Sequence, residues 1–179
     1  MLHTSGTVQV LAGMLSGHRS CGVQVWRGAV HVFGSFVDEG ATKSECRHLR
    51  DLAWTALPDM HSPRSCFTPA VWRSALYLCG GIENDTIEIW DGHYMTIWNI
   101  KLPAANTTSS CVQGGQLLLL SRESLVILSE PAAGCPAMVV KRHSLGLITF
   151  NPSPVLYKDA IYHFCDKDVR KLSLITDIY

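Results

Sequence analysis

Histidine and cysteine carry the chain's most versatile chemistry, and their spacing decides little in favour of a reaction. The eight histidines are His3, His18, His31, His48, His61, His93, His143 and His163, with no His-x-His or His-x-x-x-His among them. The tightest mixed pairs are Cys46-Arg47-His48 and His163-Phe164-Cys165. On a strand, residues i and i+2 share a face, so each pair could offer two metal ligands. A closed tetrahedral site needs four, and the spacing favours a packed thiol beside a half-buried imidazole. The seven cysteines (Cys21, Cys46, Cys66, Cys79, Cys111, Cys135, Cys165) contain no C-x-x-C, and an odd number cannot pair fully within one chain. Several sit in apolar runs such as Leu76-Tyr77-Leu78-Cys79, where Cys behaves as a small hydrophobe. Reduced thiols are the expectation.

No G-x-S-x-G and no phosphate-binding glycine loop occurs. Asp38-Glu39 and Glu83 with Asp85 read as solvated turn residues rather than a catalytic carboxylate pair. The residues therefore predict no enzyme, no metal and no cofactor. Fifteen Lys+Arg balance fifteen Asp+Glu, which removes the basic excess that a nucleic-acid or membrane-surface binder uses. Arg47-His48-Leu49-Arg50 and Lys141-Arg142-His143 read as solvated strand edges. No run of about 18 apolar residues suggests a membrane helix. The first residues lack an early Lys or Arg, so no signal peptide is expected and the chain is assigned to the cytoplasm, with the nucleus as alternative. Two sequons, Asn84-Asp85-Thr86 and Asn106-Thr107-Thr108, matter only in a secreted protein.

The elements that must position these residues repeat. Ser20-Cys21, Ser65-Cys66 and Ser110-Cys111 stand 45 apart; Trp26-Arg27 and Trp72-Arg73 stand 46 apart; Trp54 and Trp98 stand 44 apart; Leu57-Pro58 and Leu102-Pro103 stand 45 apart. Within the second copy, short β-like runs cover 66–72, 75–79, 86–90 and 95–101, separated by Arg73-Ser74, Gly80-Gly81, Asp91-Gly92 and Pro103. Ile87 and Ile89 flank Glu88 with the period of a half-buried strand. The first copy reads as 21–26, 29–33, 46–50 and 54–57. The third reads as 110–113, 116–120, 125–128 and a displaced strand within 137–150; the last as 153–157, 160–165 and 169–174. Four strands per period of about 45 residues is the pattern of a propeller blade.

At Trp54…Met60…Arg64 followed by Ala75-Leu-Tyr77-Leu-Cys-Gly80-Gly81, the sequence resembles the kelch repeat, with its Trp, Met, Arg, hydrophobic strand and double glycine in order. The resemblance implies an all-β, kelch-like β-propeller of about four four-stranded blades, forming one domain over 1–179. Approximate blades are 20–64, 65–109, 110–152 and 153–179, with 7–12 able to supply a closing strand. An incomplete, open ring is slightly favoured. Gly80 and Gly81 then have a structural role, and Trp54 and Trp98 pack between blades. Copper radical oxidases on related propellers use a Tyr–Cys pair and two histidines, which cannot be traced here.

The resemblance also implies a protein-interaction module. It resembles the propeller part of BTB–kelch and F-box–kelch ubiquitin-ligase adaptors, although neither fused domain is present in this sequence. The partner-binding loop candidates are Arg19, Asp38, Glu39, His61, Arg64, Glu83, Asn84, Asp85 and Asn106. The alternatives are an incomplete or degenerate propeller fragment with a structural role and, less favoured, a metal-dependent kelch-like enzyme. An open ring would leave apolar faces uncovered and invite self-association.

Overall fold

The computed structural model describes residues 13–14, 17–36, 42–50, 53–82, 84–98, 100–102, 107–121, 124–129, 139–144, 155–157, 160–165 and 168–173. The regular elements among them are all strands, joined into small antiparallel sheets; no helix occurs among the described residues. The first sheet holds β1 (Gly22–Trp26), β2 (Ala29–Phe36), β3 (Thr42–Arg50) and β4 (Ala53–Leu57) in chain order. The second holds β5 (Ala70–Trp72), β6 (Ala75–Cys79), β7 (Ile87–Trp90) and β8 (Met95–Trp98). The third holds β9 (Thr107–Gln113), β10 (Gln116–Ser121), β11 (Ser124–Ser129) and β12 (Val139–Ser144). The fourth holds β13 (Val155–Tyr157), β14 (Ala160–Cys165) and β15 (Asp168–Ser173). The displaced strand expected within 137–150 is β12. The closing strand expected over 7–12 lies outside the described residues.

The first three sheets open with the same two-residue hairpin. Arg27 and Gly28 have φ of +47° and +73°, Arg73 and Ser74 +50° and +63°, and Gly114 and Gly115 +55° and +77°. Positive φ at both central residues is the type I′ turn, whose twist suits antiparallel strands. Arginine is a costly choice at such a position. Here each guanidinium lies over the ring of the preceding tryptophan, Arg27 at 4.2 Å from Trp26 and Arg73 at 4.4 Å from Trp72, a cation–π contact that offsets part of the cost.

The second sheet is apolar on both faces in alternation, and the first three sheets pack face to face in chain order. From the second sheet, Leu76, Leu78 and Trp90 are buried with Trp26 and Phe33 of the first. On its other face, Trp72, Tyr77, Cys79 and Ile87 are buried with Leu117, Leu119, Val126 and Leu128 of the third. The outward face of the third buries Leu118, Leu120, Leu125 and Ile127. One aromatic motif recurs. Trp26 meets His31 edge-on at 5.5 Å, as Trp72 meets Tyr77 at 5.0 Å.

The repeat is phased differently from its sequence markers. Ser20 and Cys66 share left-handed φ of +54° and +53°, and Gly34 and Gly80 share +64° and +66°. The offset between the first two sheets is therefore 46, which the Trp-Arg pairs obey. The Ser-Cys spacing of 45 is one residue out, so Ser20, not Cys21, takes the place of Cys66. Cys111 is paired opposite Leu118 as Ala70 is opposite Tyr77; it therefore occupies a third position. Trp54 and Trp98 also part company. Trp98 lies opposite Ile87, facing the third sheet, where it contacts Trp72 and Tyr77. Its counterpart in the first sheet is Leu57, opposite Cys46. Trp54 is cross-strand from Leu49 on the opposite face and half-buried, so the expectation that both tryptophans pack alike between sheets is corrected.

Trp98→Ala should cost about 3 kcal/mol of stability by removing the third ring of this cluster. Tyr94→Ala, at a side chain 72% exposed, should stay within about 0.5 kcal/mol. Urea denaturation followed by circular dichroism measures both; equal losses would contradict this packing.

Candidate functional site

The β4–β5 connection and the β6–β7 turn meet at one end of the second sheet, around Arg64. Arg64 lacks any solvent exposure. Its Nη1 donates to Gly80 O at 2.7 Å, Thr86 O at 2.9 Å and Asn84 Oδ1 at 3.1 Å. Its Nη2 donates to Thr86 Oγ1 at 2.6 Å and Glu88 Oε1 at 2.9 Å. A buried guanidinium needs this many acceptors, because its charge and its fork of donors have both left water. The turn is shaped to supply them: Asn84 Oδ1 also accepts from Thr86 N and Thr86 Oγ1, and Asn84 Nδ2 donates to Pro63 O.

Glu88 is the counter-charge. It projects from β7 on the face of Leu78, its cross-strand partner, and its side chain is fully buried. Its Oε2 accepts from the His61 amide at 2.7 Å and lies 3.0 Å from His61 Nδ1, and its Oε1 accepts from Ser62 N at 3.1 Å. Burial by itself pushes this carboxyl up. The backbone bond from His61 and the hydrogen bond and charge of Arg64 more than offset it, so Glu88 titrates below its ordinary range. The ring of His61 remains half-exposed at the rim.

Gly81 has a steric reason to be glycine. Its φ is +115°, and a Cβ there would stand 3.0 Å from Ser65 O, while Ile82 N donates to that same carbonyl. The first sheet solves the same junction differently. Ser35 replaces Gly81, and its Oγ accepts from Arg19 N at 2.9 Å. His18 Nδ1 donates to Gly34 O at 2.9 Å, where Arg64 donates to Gly80 O. His18 is thus the counterpart of Arg64; Arg19-Ser20 and Arg64-Ser65 stand 45 apart and are one residue out of this phase. The register position of Glu88 is held in the first sheet by Arg47, opposite Val32. No carboxylate stands there to receive a buried guanidinium.

These placements correct part of the expected partner-binding set. Arg64 and Asn84 are buried and committed to the junction, so neither presents a surface to a partner, and Asn84 is withheld from glycosylation in the folded chain. Arg19 and His61 are exposed. Asp85 is half-buried; its backbone carbonyl accepts from Leu102 N, and Lys101 Nζ lies 3.7 Å from its carboxylate. Asp38, Glu39, Glu83 and Asn106 lie outside the described residues. Glu88, Asn84 with Thr86, and His18 carry the junction; the alternation Ile87-Glu88-Ile89 of a half-buried strand turns Glu88 towards solvent, so its burial was not legible in the sequence. Among the described residues, no three His, Cys, Asp or Glu side chains cluster closely enough to hold a metal ion. The cysteines Cys21, Cys66, Cys79 and Cys111 are free. Burial pushes the Cys21 and Cys111 thiols up and raises Cys79 to about 12, so these three are weak nucleophiles.

No family model matches the chain, and no curated protein matches it. Among solved structures it is similar to YjhT, with 13% identical residues and a TM-score of 0.66. The match covers 86% of this chain and 60% of that one, so the chain spans about 60% of the length of YjhT. At this identity the likeness is one of fold alone.

Replacing one partner of the ion pair, by Arg64→Leu or Glu88→Leu, should cost about 3–5 kcal/mol. The double variant should cost less than the two single losses together, because no charge is left stranded; denaturant titration of the three proteins reads the coupling. Because Glu88 titrates below its ordinary value of 4.5, its contribution is complete above that pH and is lost as pH falls through its folded value. Glu88→Gln should therefore flatten the decline in stability as pH falls below about 5. An unchanged slope would contradict the assignment.

Proposed function

We propose that this chain is a kelch-like propeller segment that binds a protein partner with the loop end of its sheets. Successive antiparallel sheets, the first three of them stacked face on face in chain order, support the propeller arrangement. The observation that carries the binding reading is the Arg64–Glu88 junction. It spends buried charge on holding two connections in one conformation, and leaves Asp59, His61, Pro63 and Ile82 exposed around it. A rim preorganised in this way loses little conformational entropy on binding. The opposite end carries two-residue turns, which offer less surface. Substrate recognition within a ubiquitin-ligase adaptor is the version of this role that the kelch resemblance suggests.

A structural role within a larger assembly is the second reading. Exposed Val25 on β1 favours it, because its counterparts Val71 and Val112 pack against a neighbouring sheet.

A photo-crosslinking residue placed at Asp59 or Ile82 should label one and the same protein in cell extract. Placed at Ser74 or Gly114, at the opposite end, it should not. A second substitution, His61→Glu in the Ile82 probe protein, should abolish the label. Labelling from both ends alike, or from neither, overturns the proposal.

A further inference from the structure

The hairpin ends of the second and third sheets border a cleft of about 580 Å³, a size within the ~300–1,000 Å³ range of small-molecule sites. Its two walls are joined where Trp72 Nε1 donates to Gly115 O at 2.7 Å. Arg73, whose guanidinium lies 4.4 Å over the Trp72 ring, is the one charged residue among the described residues that line it. Ser129 Oγ accepts from Gln116 Nε2 at 2.7 Å, which leaves the hydroxyl hydrogen to donate. Val71 and Val112 complete the lining with apolar surface.

The junction between the first and second sheets shows what the repeat does with the same place. Arg27 holds the position of Arg73, 4.2 Å over the ring of Trp26. Its Nη2 lies 3.5 Å from Ser74 O, as Trp72 Nε1 reaches Gly115 O in the next junction. It also packs on Gly92, where a Cβ would stand 2.7 Å from Nη1. Asp91 precedes that glycine. The amides of Tyr94 and His93 hold its carboxyl below the ordinary range, with a smaller lowering from the charge of Arg27. Register carries Asp91 onto Ser129. Trp90 is opposite Leu76, the second residue after its turn, and Leu128 is opposite Leu117, the second residue after the next turn. The second junction therefore keeps the arginine and has a hydroxyl where the first has a carboxylate. The facing hairpin changes too. Gly114 and Gly115 replace Arg73 and Ser74, and a Cβ at either glycine would meet nothing within 4 Å.

We infer that this cleft takes a small molecule bearing a carboxylate on an apolar body, with the carboxylate beside Arg73 at the register position that Asp91 holds near Arg27. A guanidinium carries five N–H donors in a fork that fits a carboxylate, so Arg73 can serve the ligand alongside contacts within the chain. Its stacking on Trp72 holds the fork in place. Ser129 donates its hydroxyl hydrogen to the same carboxylate, and Val71 and Val112 take the apolar body. The cleft lies at the hairpin end, so this inference does not rest on the loop-end reading.

Titration of phenylacetate into the isotope-labelled full chain, followed by amide NMR shifts, tests it. The shifts should saturate and centre on Gly114, Gly115 and Gln116. Phenylacetamide, of the same shape without the charge, should bind at least about tenfold more weakly. Arg73→Gln should weaken phenylacetate by a similar factor. Ser129→Asp supplies the carboxylate that the first junction already has, and should abolish binding while the amide spectrum stays that of a folded protein. This variant leaves the arginine intact, so it decides even where Arg73→Gln perturbs the hairpin. Arg27→Gln should leave the affinity unchanged. No saturable shift, equal affinity for the amide, or a Ser129→Asp protein that binds like the wild type overturns the inference. Tighter binding of a peptide with a C-terminal phenylalanine would assign the cleft to a protein terminus and overturn it as well.

Discussion

A sheet that is apolar on both faces must be covered twice, and this requirement organises the molecule. The second sheet is covered from both sides. Leu76, Leu78 and Trp90 are taken up by the first sheet, while Tyr77, Cys79 and Ile87 are taken up by the third. Hydrophobic burial has no direction of its own, so the order of the stack comes from short connections that leave each sheet beside its predecessor. The hairpin ends are stitched as well. Trp72 Nε1 donates to Gly115 O at 2.7 Å, which gives a buried indole its partner and ties the second sheet to the third.

The loop end is held by charge rather than by apolar contact. A buried ion pair adds little net stability over a well-packed apolar pair, since both charges must be desolvated. What the Arg64–Glu88 pair supplies is a unique geometry, because five acceptors around one planar fork can be satisfied in very few ways. The first sheet, with His18 in the place of Arg64 and Arg47 in the register position of Glu88, uses a His18 ring nitrogen and the Ser35 hydroxyl at the same junction. Equivalent backbone is thus maintained by unlike side chains, which is how a repeat drifts in sequence while its ladders stay in step.

Much of the fold was legible in the chain. Alternation marked the strands, and glycine, proline and Arg-Ser or Asp-Gly pairs marked the turns, so the predicted runs match β1 to β15 to within a few residues. Phase was not legible. Ser-Cys recurs every 45 residues, but the backbone repeats at 46 between the first two sheets and at 41 between the next two. Loop lengths absorb the difference, and only hydrogen-bond register shows it. Trp54 and Trp98 looked alike for the same reason. Register makes Met95 the counterpart of Trp54, so Trp98 is displaced from that position by three residues, an odd shift that turns its side chain to the opposite face.

The sequence by itself determined that the chain is all-β, where its strands begin and end, and that it brings no excess charge and no recognisable catalytic motif. Those properties are local, written in alternation and composition. Tertiary structure alone decided which residues are spent on the fold and which stay free to act. Arg64, Asn84 and Glu88 have the residue types of a binding site, yet distant backbone folds over them and commits them to one another. Val25 has the residue type of a core, yet it faces water. Burial depends on which sheet stands in front of a residue, and no local pattern contains that.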